Sequence, residues 1–250
     1  MTRPDKPRGL RRPYRVAEEI KRWVVEEGLV EGARLPGEAA LMDRFGMSKG
    51  TIREAMRVLE AQGLVTTRTG PGGGTFVGAV SEERARALLG NYFYFKSLSI
   101  ADIYQLRRQL EPELAADLAG RLSEAQLGEL EALITRYDRP AGTVAEERDQ
   151  HVASLAFHER LAQFSANPLL GFLVGFTSRM LSDLTVWRRL YAPPNHELWR
   201  RGRAHQIELV GALRAGDAEA ARAIMAAHMA SAQALMEEQE AQVLRRFIGE

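Results

Sequence analysis

Between Tyr14 and Glu27 apolar residues recur at Val16, Ile20, Trp23 and Val24, the three- and four-residue spacing of a helix that buries one stripe. Gly28 to Leu35 breaks the period. Pro36 and Gly37 then open a short second helix ending near Phe45, where Gly46 suits the left-handed position just past a helix end. Ser48 can cap a third helix that runs to about Gln62, buries Ile52, Ala55, Met56 and Leu59, and is stopped by Gly63. The next stretch, LVTTRTGPGGGTFV, alternates apolar and polar residues on both sides of a glycine-rich tip, the pattern of a β-hairpin. Three helices followed by a hairpin predict a winged helix-turn-helix.

From Ser81 onward the pattern is helical and no strand is predicted. SEERARALLGNYFYFK reads as a linker helix, and SIADIYQLRRQLEPELAADLAGRL as a long helix opened by Ser99 with Asp102 three residues on. Pro112 lies inside that helix and is expected to kink it. SEAQLGELEALITRYD carries a second capping box, Ser123 with Gln126. Further helices are expected after the break at Pro140 to Thr143, from about Leu169 to Arg189, and over His196 to Ala215 and Asp217 to Phe247, the last two divided by Gly216. The expected fold class is mostly α: an N-terminal winged helix-turn-helix followed by an all-α antiparallel bundle of six or so helices. The expected domains are a basic flexible tail at 1–12, the DNA-binding domain at 13–78, a linker helix at 79–98 and a helical domain at 99–250.

Composition narrows the classes. The chain has 250 residues and no cysteine, which removes disulfides, thiolate metal sites and a cysteine nucleophile. No unbroken run approaches the roughly 18 apolar residues of a membrane span, and the basic start MTRPDKPRGLRRP leads into no apolar segment, so a cytoplasmic protein is expected. The net charge of +1 hides an asymmetry: residues 1–78 hold 14 Lys/Arg against 10 Asp/Glu, the remainder 20 against 23. A modestly basic first third is compatible with a nucleic-acid surface. No His has a Glu three residues before it, and H-E-x-x-H and G-x-S-x-G are absent, so the chain is not expected to be an enzyme.

In a helix-turn-helix the N-terminal residues of the second motif helix reach base edges and phosphates. Here these are Ser48, Lys49, Gly50, Thr51 and Arg53, the face left over once the apolar stripe is buried. Arg53 is the candidate for a bidentate guanine contact, whereas Lys49, Ser48 and Thr51 suit phosphates. Arg68, Thr69 and the amides of the hairpin tip could enter the adjacent minor groove. All five histidines lie beyond residue 150, and His158 in HVASLAFHERLAQF falls on a buried helical stripe, either as a hydrogen-bonded core residue or as part of a site.

The segment GARLPGEAALMDRFGMSKGTIREAMRVLEAQGLVTTRTGPGGGTFV resembles the DNA-binding domain of the GntR family of bacterial transcription regulators. The resemblance implies DNA contacts from Ser48, Lys49, Thr51 and Arg53 and from Thr69 and Gly70 at the wing. Arg34 and Gly50, within the same segment, complete the candidate set together with Arg68. Lys49 stands where the family commonly has arginine, and Ala39 where a basic residue often follows Glu38.

The remainder is similar to the FadR-type effector domain, FCD, through LRRQLEPELAADLA, FHERLAQFSANPLL and HQIELVGALRAGDAEAARAIMAAHM. Many such domains hold a divalent metal through an Asp and three His, and the metal helps bind a carboxylate effector. The histidine positions fall on His158, His205 and His228, and the aspartate position on Ser154. The resemblance further implies that Arg107 pairs with the effector carboxylate. Zn or Ni is the expected metal, with Ser154 at the effector or reaching the ion through water. His151, two turns from His158, is a remote substitute ligand, and His196 is expected to be solvated.

Together these imply a homodimeric regulator that binds a pseudo-palindromic double-stranded DNA operator, acts as a repressor, and responds to a small organic or sugar acid, with no membrane partner. The alternative is a DNA-binding dimer whose helical domain is metal-free and serves dimerisation or metal-independent ligand binding.

Overall fold

The computed structural model describes residues 12–96 and 98–248, with side chains described up to residue 244. The basic tail expected at 1–12 lies, apart from Arg12, outside the described residues. Contacts divide the chain into two compact units, residues 1–88 and 89–250.

In the first unit, α1 (Arg12–Glu26), α2 (Glu38–Phe45) and α3 (Lys49–Gln62) precede a hairpin of β1 (Val65–Arg68) and β2 (Gly74–Val77). Its core is built on the predicted Val16, Ile20 and Trp23 of α1 and Ile52, Ala55 and Leu59 of α3, joined by Ala17 and by Leu41 of α2, while Val24 is only partly buried. Met56, expected in that core, is only partly buried at its edge. The punctuation is local and physical. Gly46 (φ 62°) and Gly63 (φ 79°) end α2 and α3 in the left-handed region, which costs residues with a Cβ more than glycine. The strands are antiparallel with Val65 opposite Val77 and Arg68 opposite Gly74.

In the second unit, α5 (Ile100–Leu118), α6 (Glu124–Thr135), α7 (Val144–Gln163), α8 (Pro168–Trp187), α9 (His196–Ala215) and α10 (Ala218–Ile248) form the bundle; α4 (Glu82–Tyr94) precedes it and spans the division. Helix α10 packs on α5 and α9, and α7 on α8 and α6, around Leu114, Phe157, Leu161, Val174, Met225 and Met229. The turn at Gly216 and Asp217 is so short that α9 and α10 must be antiparallel neighbours. Helix α5 continues through Pro112, whose missing N–H deprives one interior carbonyl of its usual donor. Helix α8 is long and apolar enough to cross a membrane by length and composition, with a mean hydropathy of 1.3. Polar residues interrupt its sequence, so no unbroken run was visible there, and Val174, Phe176 and Leu181 are buried within the bundle.

Both capping boxes form. Ser99 Oγ accepts from Asp102 N at 3.1 Å while Ser99 N donates to Asp102 Oδ2 at 2.9 Å. Ser123 and Gln126 repeat the exchange. Ser99→Ala is expected to destabilise the helical unit by about 1 kcal/mol, read as a lower urea midpoint with unchanged slope; no shift would mean that the α5 start is held by packing alone.

Candidate nucleic-acid interface and ligand cavity

The recognition face starts at the N-terminus of α3. Ser48 caps it, accepting from Thr51 N at 3.4 Å and sharing a 3.0 Å hydrogen bond with Thr51 Oγ1. Lys49, Gly50 and Arg53 are exposed, and nothing lies within 4 Å of where a Cβ on Gly50 would stand, so the helix start is open to an incoming backbone. Arg53 Nε donates to Glu38 Oε1 at 2.7 Å, and Lys49 Nζ lies 4.0 Å from Glu38 Oε2. Glu38, on the helix before, thus engages both cations of the face while Arg53 keeps its terminal guanidinium nitrogens for a planar partner.

At the hairpin, Arg68 lies over the Phe76 ring, 4.7 Å from its centroid. Thr69 and Gly70 are at the tip, Gly70 with φ 90°. A Cβ on Gly73 would stand 2.6 Å from Arg68 O and 2.7 Å from Gly70 O, so this turn closes only on glycine. Arg34 differs from the rest of the candidate set. Its Nη2 donates to Gly73 O at 2.7 Å and its backbone bridges Phe76, so it ties the wing to the preceding loop rather than standing free.

The second site is a cavity in the helical unit. It has about 550 Å³ of empty space, including its mouth, and the centres of water-sized molecules reach about 50 Å³ of it, which suits a small ligand. Helix periodicity builds one wall: Glu147, His151, Ser154 and His158 succeed one another at spacings of four, three and four along one face of α7. Arg107 comes from α5 and His228 from α10. Arg108, the neighbour of Arg107, points away and meets Gln233 at 3.4 Å.

Bonded to two of the lining residues is one that sequence reasoning missed. Glu111 is fully buried, accepting from Arg107 Nε on one oxygen and from His158 Nδ1 on the other. An Arg and a Glu four apart usually pair on a solvated helix face, so the spacing was legible but its burial was not. Gln206 was also missed: its Nε2 donates to Ser154 O at 3.2 Å and Ser154 Oγ at 3.3 Å, and its Oε1 accepts from Tyr137. Ser154, read as an effector or metal residue, is therefore already tied to α9.

The protonation pattern follows from this packing. Burial pushes the Glu111 carboxyl up, but Arg107 and His158 outweigh it and bring it down to about 2, so it is ionised. Burial lowers His158 against the opposing pull of Glu111, and burial with the neighbouring His158 lowers His228 further. Both rings are neutral near pH 7. With Nδ1 donating to Glu111, His158 presents the lone pair of Nε2 towards His228 Nε2, 3.2 Å away. Burial, with Arg107 nearby, lowers His151 to about 4, and burial raises Tyr104 to about 12. Arg107 Nη2, His151 Nε2 and His228 Nδ1 are buried without a hydrogen-bond partner, the condition that normally marks a place for a ligand or water.

The expected three-histidine centre is incomplete. His205 neighbours His228, with ring centroids 5.4 Å apart, but among the described residues no three His, Asp or Glu side chains converge as metal ligands. Adjacency on two helices brings rings together without aiming both donors at one point. His196 is exposed as expected, yet it begins α9 and its Nε2 lies 3.1 Å from Ala141 O.

A winged helix-turn-helix with an open recognition face, joined to a helical unit with a small cavity, defines a DNA-binding protein with a separate helical domain. The family description "Bacterial regulatory proteins, gntR family" matches residues 14–77 and "FCD domain" matches residues 102–231. The chain belongs to the GntR family of bacterial regulators, in its FCD-containing, FadR-type branch, and is a transcription regulator, not an enzyme. Among its relatives, the putative L-lactate dehydrogenase operon regulatory protein of Escherichia coli (strain K12) is 28% identical over 86% of this chain and 82% of its own. The putative HTH-type transcriptional regulator RmpR of Mycobacterium gastri is 30% identical over 86% and 76%. The Glc operon transcriptional activator of Escherichia coli (strain K12) is 27% identical over 77% and 74%. The solved structure of Streptococcus agalactiae GntR shares the fold, with a TM-score of 0.60 at 24% identity over 89% of this chain and 99% of that one.

Proposed function

We propose that this regulator binds a pseudo-palindromic operator as a homodimer and that a small organic acid, held in the helical cavity by Arg107, changes its affinity for DNA. The observation that carries this reading is the set of buried, partnerless nitrogens of Arg107, His151 and His228 at one small cavity. A bacterial relative named for an L-lactate dehydrogenase operon supports a short carboxylate as effector. Two copies are needed to place two recognition helices one turn of DNA apart, and the exposed Tyr92, Tyr94 and Phe95 offer apolar surface for association. The proposed direction is repression relieved by the acid. One relative is named an activator, so transcription in vitro with and without ligand decides the sign.

A divalent ion such as Zn or Ni belongs to the same reading, with His158 and His228 as the ligands whose geometry suits it. Two nitrogens bound at about 2.1 Å stand roughly 3.0–3.4 Å apart at octahedral or tetrahedral angles; His158 and His228 Nε2 are 3.2 Å apart. Glu111 on the far nitrogen of His158 supplies the carboxylate partner usual for a metal-bound histidine. When bound, the ion would supply a positive centre for an effector oxygen. Operator affinity should change at least about fivefold with a short hydroxy or keto acid in a panel of carboxylates titrated with and without Zn or Ni. A change below twofold for every combination would overturn the effector reading.

A further inference from the structure

We propose that Glu147 is the specificity-determining residue of the helical cavity: its free carboxylate oxygen receives a hydroxyl or ammonium group of the bound acid, so that hydroxy and amino acids are selected over oxo and unsubstituted ones. This rests on the ligand-sensing reading above and names the class of acid that the cavity takes.

Glu147 is 4% exposed, and its two oxygens have different fates. Oε1 accepts from Asn195 N at 3.0 Å, whereas Oε2 is buried at the cavity without a partner. The loop that supplies Asn195 N is itself fixed: Asn195 Nδ2 donates to Gln239 Oε1 at 3.3 Å, and Gln239 Nε2 to Pro193 O at 2.8 Å. The carboxylate is therefore held in place with one oxygen to spare. Burial raises its carboxyl, as expected of a charge that has lost its water and gained one amide in return.

Gln150 adds a second acceptor on the same face of α7, three residues on. Its Nε2 donates to Arg139 O at 2.9 Å, which fixes the amide so that Oε1 is the free atom, and that oxygen too is buried at the cavity without a partner. A carboxylate and an amide oxygen only accept, whereas the free Nη2 of Arg107 only donates. The two kinds of group reach the cavity from different levels of its wall. Arg107 is anchored through Glu111 to His158, whose backbone lies about 16 Å along the α7 axis from that of Glu147. An acid that carries only a carboxylate answers the donor and leaves both acceptors empty. A hydroxyl or ammonium group on its chain answers them as well, and a buried acceptor makes the absence of that group costly. An oxo group, itself an acceptor, meets the carboxylate oxygen with repulsion.

The experiment is calorimetry on the full-length protein with a panel of four-carbon acids as sodium salts: butyrate, 2-oxobutyrate, and the butyrates bearing a hydroxyl or an amino group at carbon 2, 3 or 4. At least one hydroxy or amino member is expected to bind about 10–100-fold more tightly than butyrate and 2-oxobutyrate, the worth of a hydrogen bond to a buried charged group. Which member wins tells whether the site takes a hydroxyl or an ammonium. Glu147→Gln keeps an oxygen for Asn195 N and turns the free position into a donor, so the preference should fall below about threefold while butyrate itself binds within about threefold of wild type. Equal weakening of every acid in Glu147→Gln would mark a merely structural role and overturns the proposal. So does a wild type that binds the acids without preference, a result that leaves the ligand-sensing reading standing. If no acid of the panel binds, the proposal falls together with that reading for acids of this size. Gln150→Leu is the second variant, should thermal melting show that Glu147→Gln does not fold. Loss of its one acceptor should cut the preference at least about threefold, and an unchanged preference overturns the proposal.

Discussion

Arg107→Leu is expected to lower the stability of the helical unit by about 3–5 kcal/mol, because it leaves the buried carboxylate of Glu111 without its guanidinium. His158 would remain as the sole partner, and burial already disfavours its protonation. The double replacement Arg107→Leu with Glu111→Leu should recover most of that loss, since exchanging a buried ion pair for apolar side chains is often neutral or stabilising. Equilibrium urea unfolding of wild type, both single variants and the double variant closes the cycle. A coupling energy below about 0.5 kcal/mol would show that the two charges do not depend on each other. The same result bears on why the pair is present. A core that would be as stable without it retains the pair for the cavity, where Arg107 Nη2 is the one end of the pair left without a hydrogen-bond partner.

Arg53→Ala should reduce affinity for the preferred operator about 10–100-fold, the range of one bidentate guanine contact, while affinity for unrelated DNA falls far less. The preferred sequence is obtained by selection from a random duplex library. Single-base variants of it then locate the position at which discrimination is lost. A phosphate contact would behave differently: binding to all sequences would weaken together and the salt dependence would drop by about one counterion. Lys49→Ala is the internal comparison, since Lys49 is read as a phosphate contact. In the free protein both side chains meet Glu38, at 2.7 Å for Arg53 and 4.0 Å for Lys49. These are exposed pairs, so their contribution to folding is small. Their geometric effect is to hold Arg53 by Nε with the guanidinium terminus outward.

Most of the fold was legible because its signals are local. Ser48, Ser99 and Ser123 cap helices that the apolar spacing already announced, and Gly46, Gly63 and Gly216 end helices in a conformation that glycine adopts most cheaply. The hairpin was readable from alternation around its glycine tip. The recognition face could be derived by subtraction, since the residues not needed for the α3 stripe must face out. The resemblance pointed to Arg107, and the structure turns it inward and its neighbour Arg108 outward.

The cavity was legible only in part. Placing His158 on a buried stripe needs no more than helical periodicity. That its Nδ1 meets a carboxylate 47 positions earlier in the chain depends on how α5 and α7 approach each other. Likewise the carbonyl and hydroxyl of Ser154 are claimed by Gln206, 52 positions later, which no spacing rule connects. His205 shows the converse: it stands at the motif position that the resemblance implies, yet among the described residues its ring does not complete a set of converging donors.

By itself the sequence determined the helices, their caps, the wing and the outward face of α3, because backbone propensity, capping and apolar periodicity act within a few residues of chain. Tertiary structure alone decided the charge state and partnership of the cavity. Burial and the apposition of α5, α7, α9 and α10 turn Arg107 and Glu111 from an ordinary surface-type pair into a desolvated one, and hold three neutral histidines at a single small space.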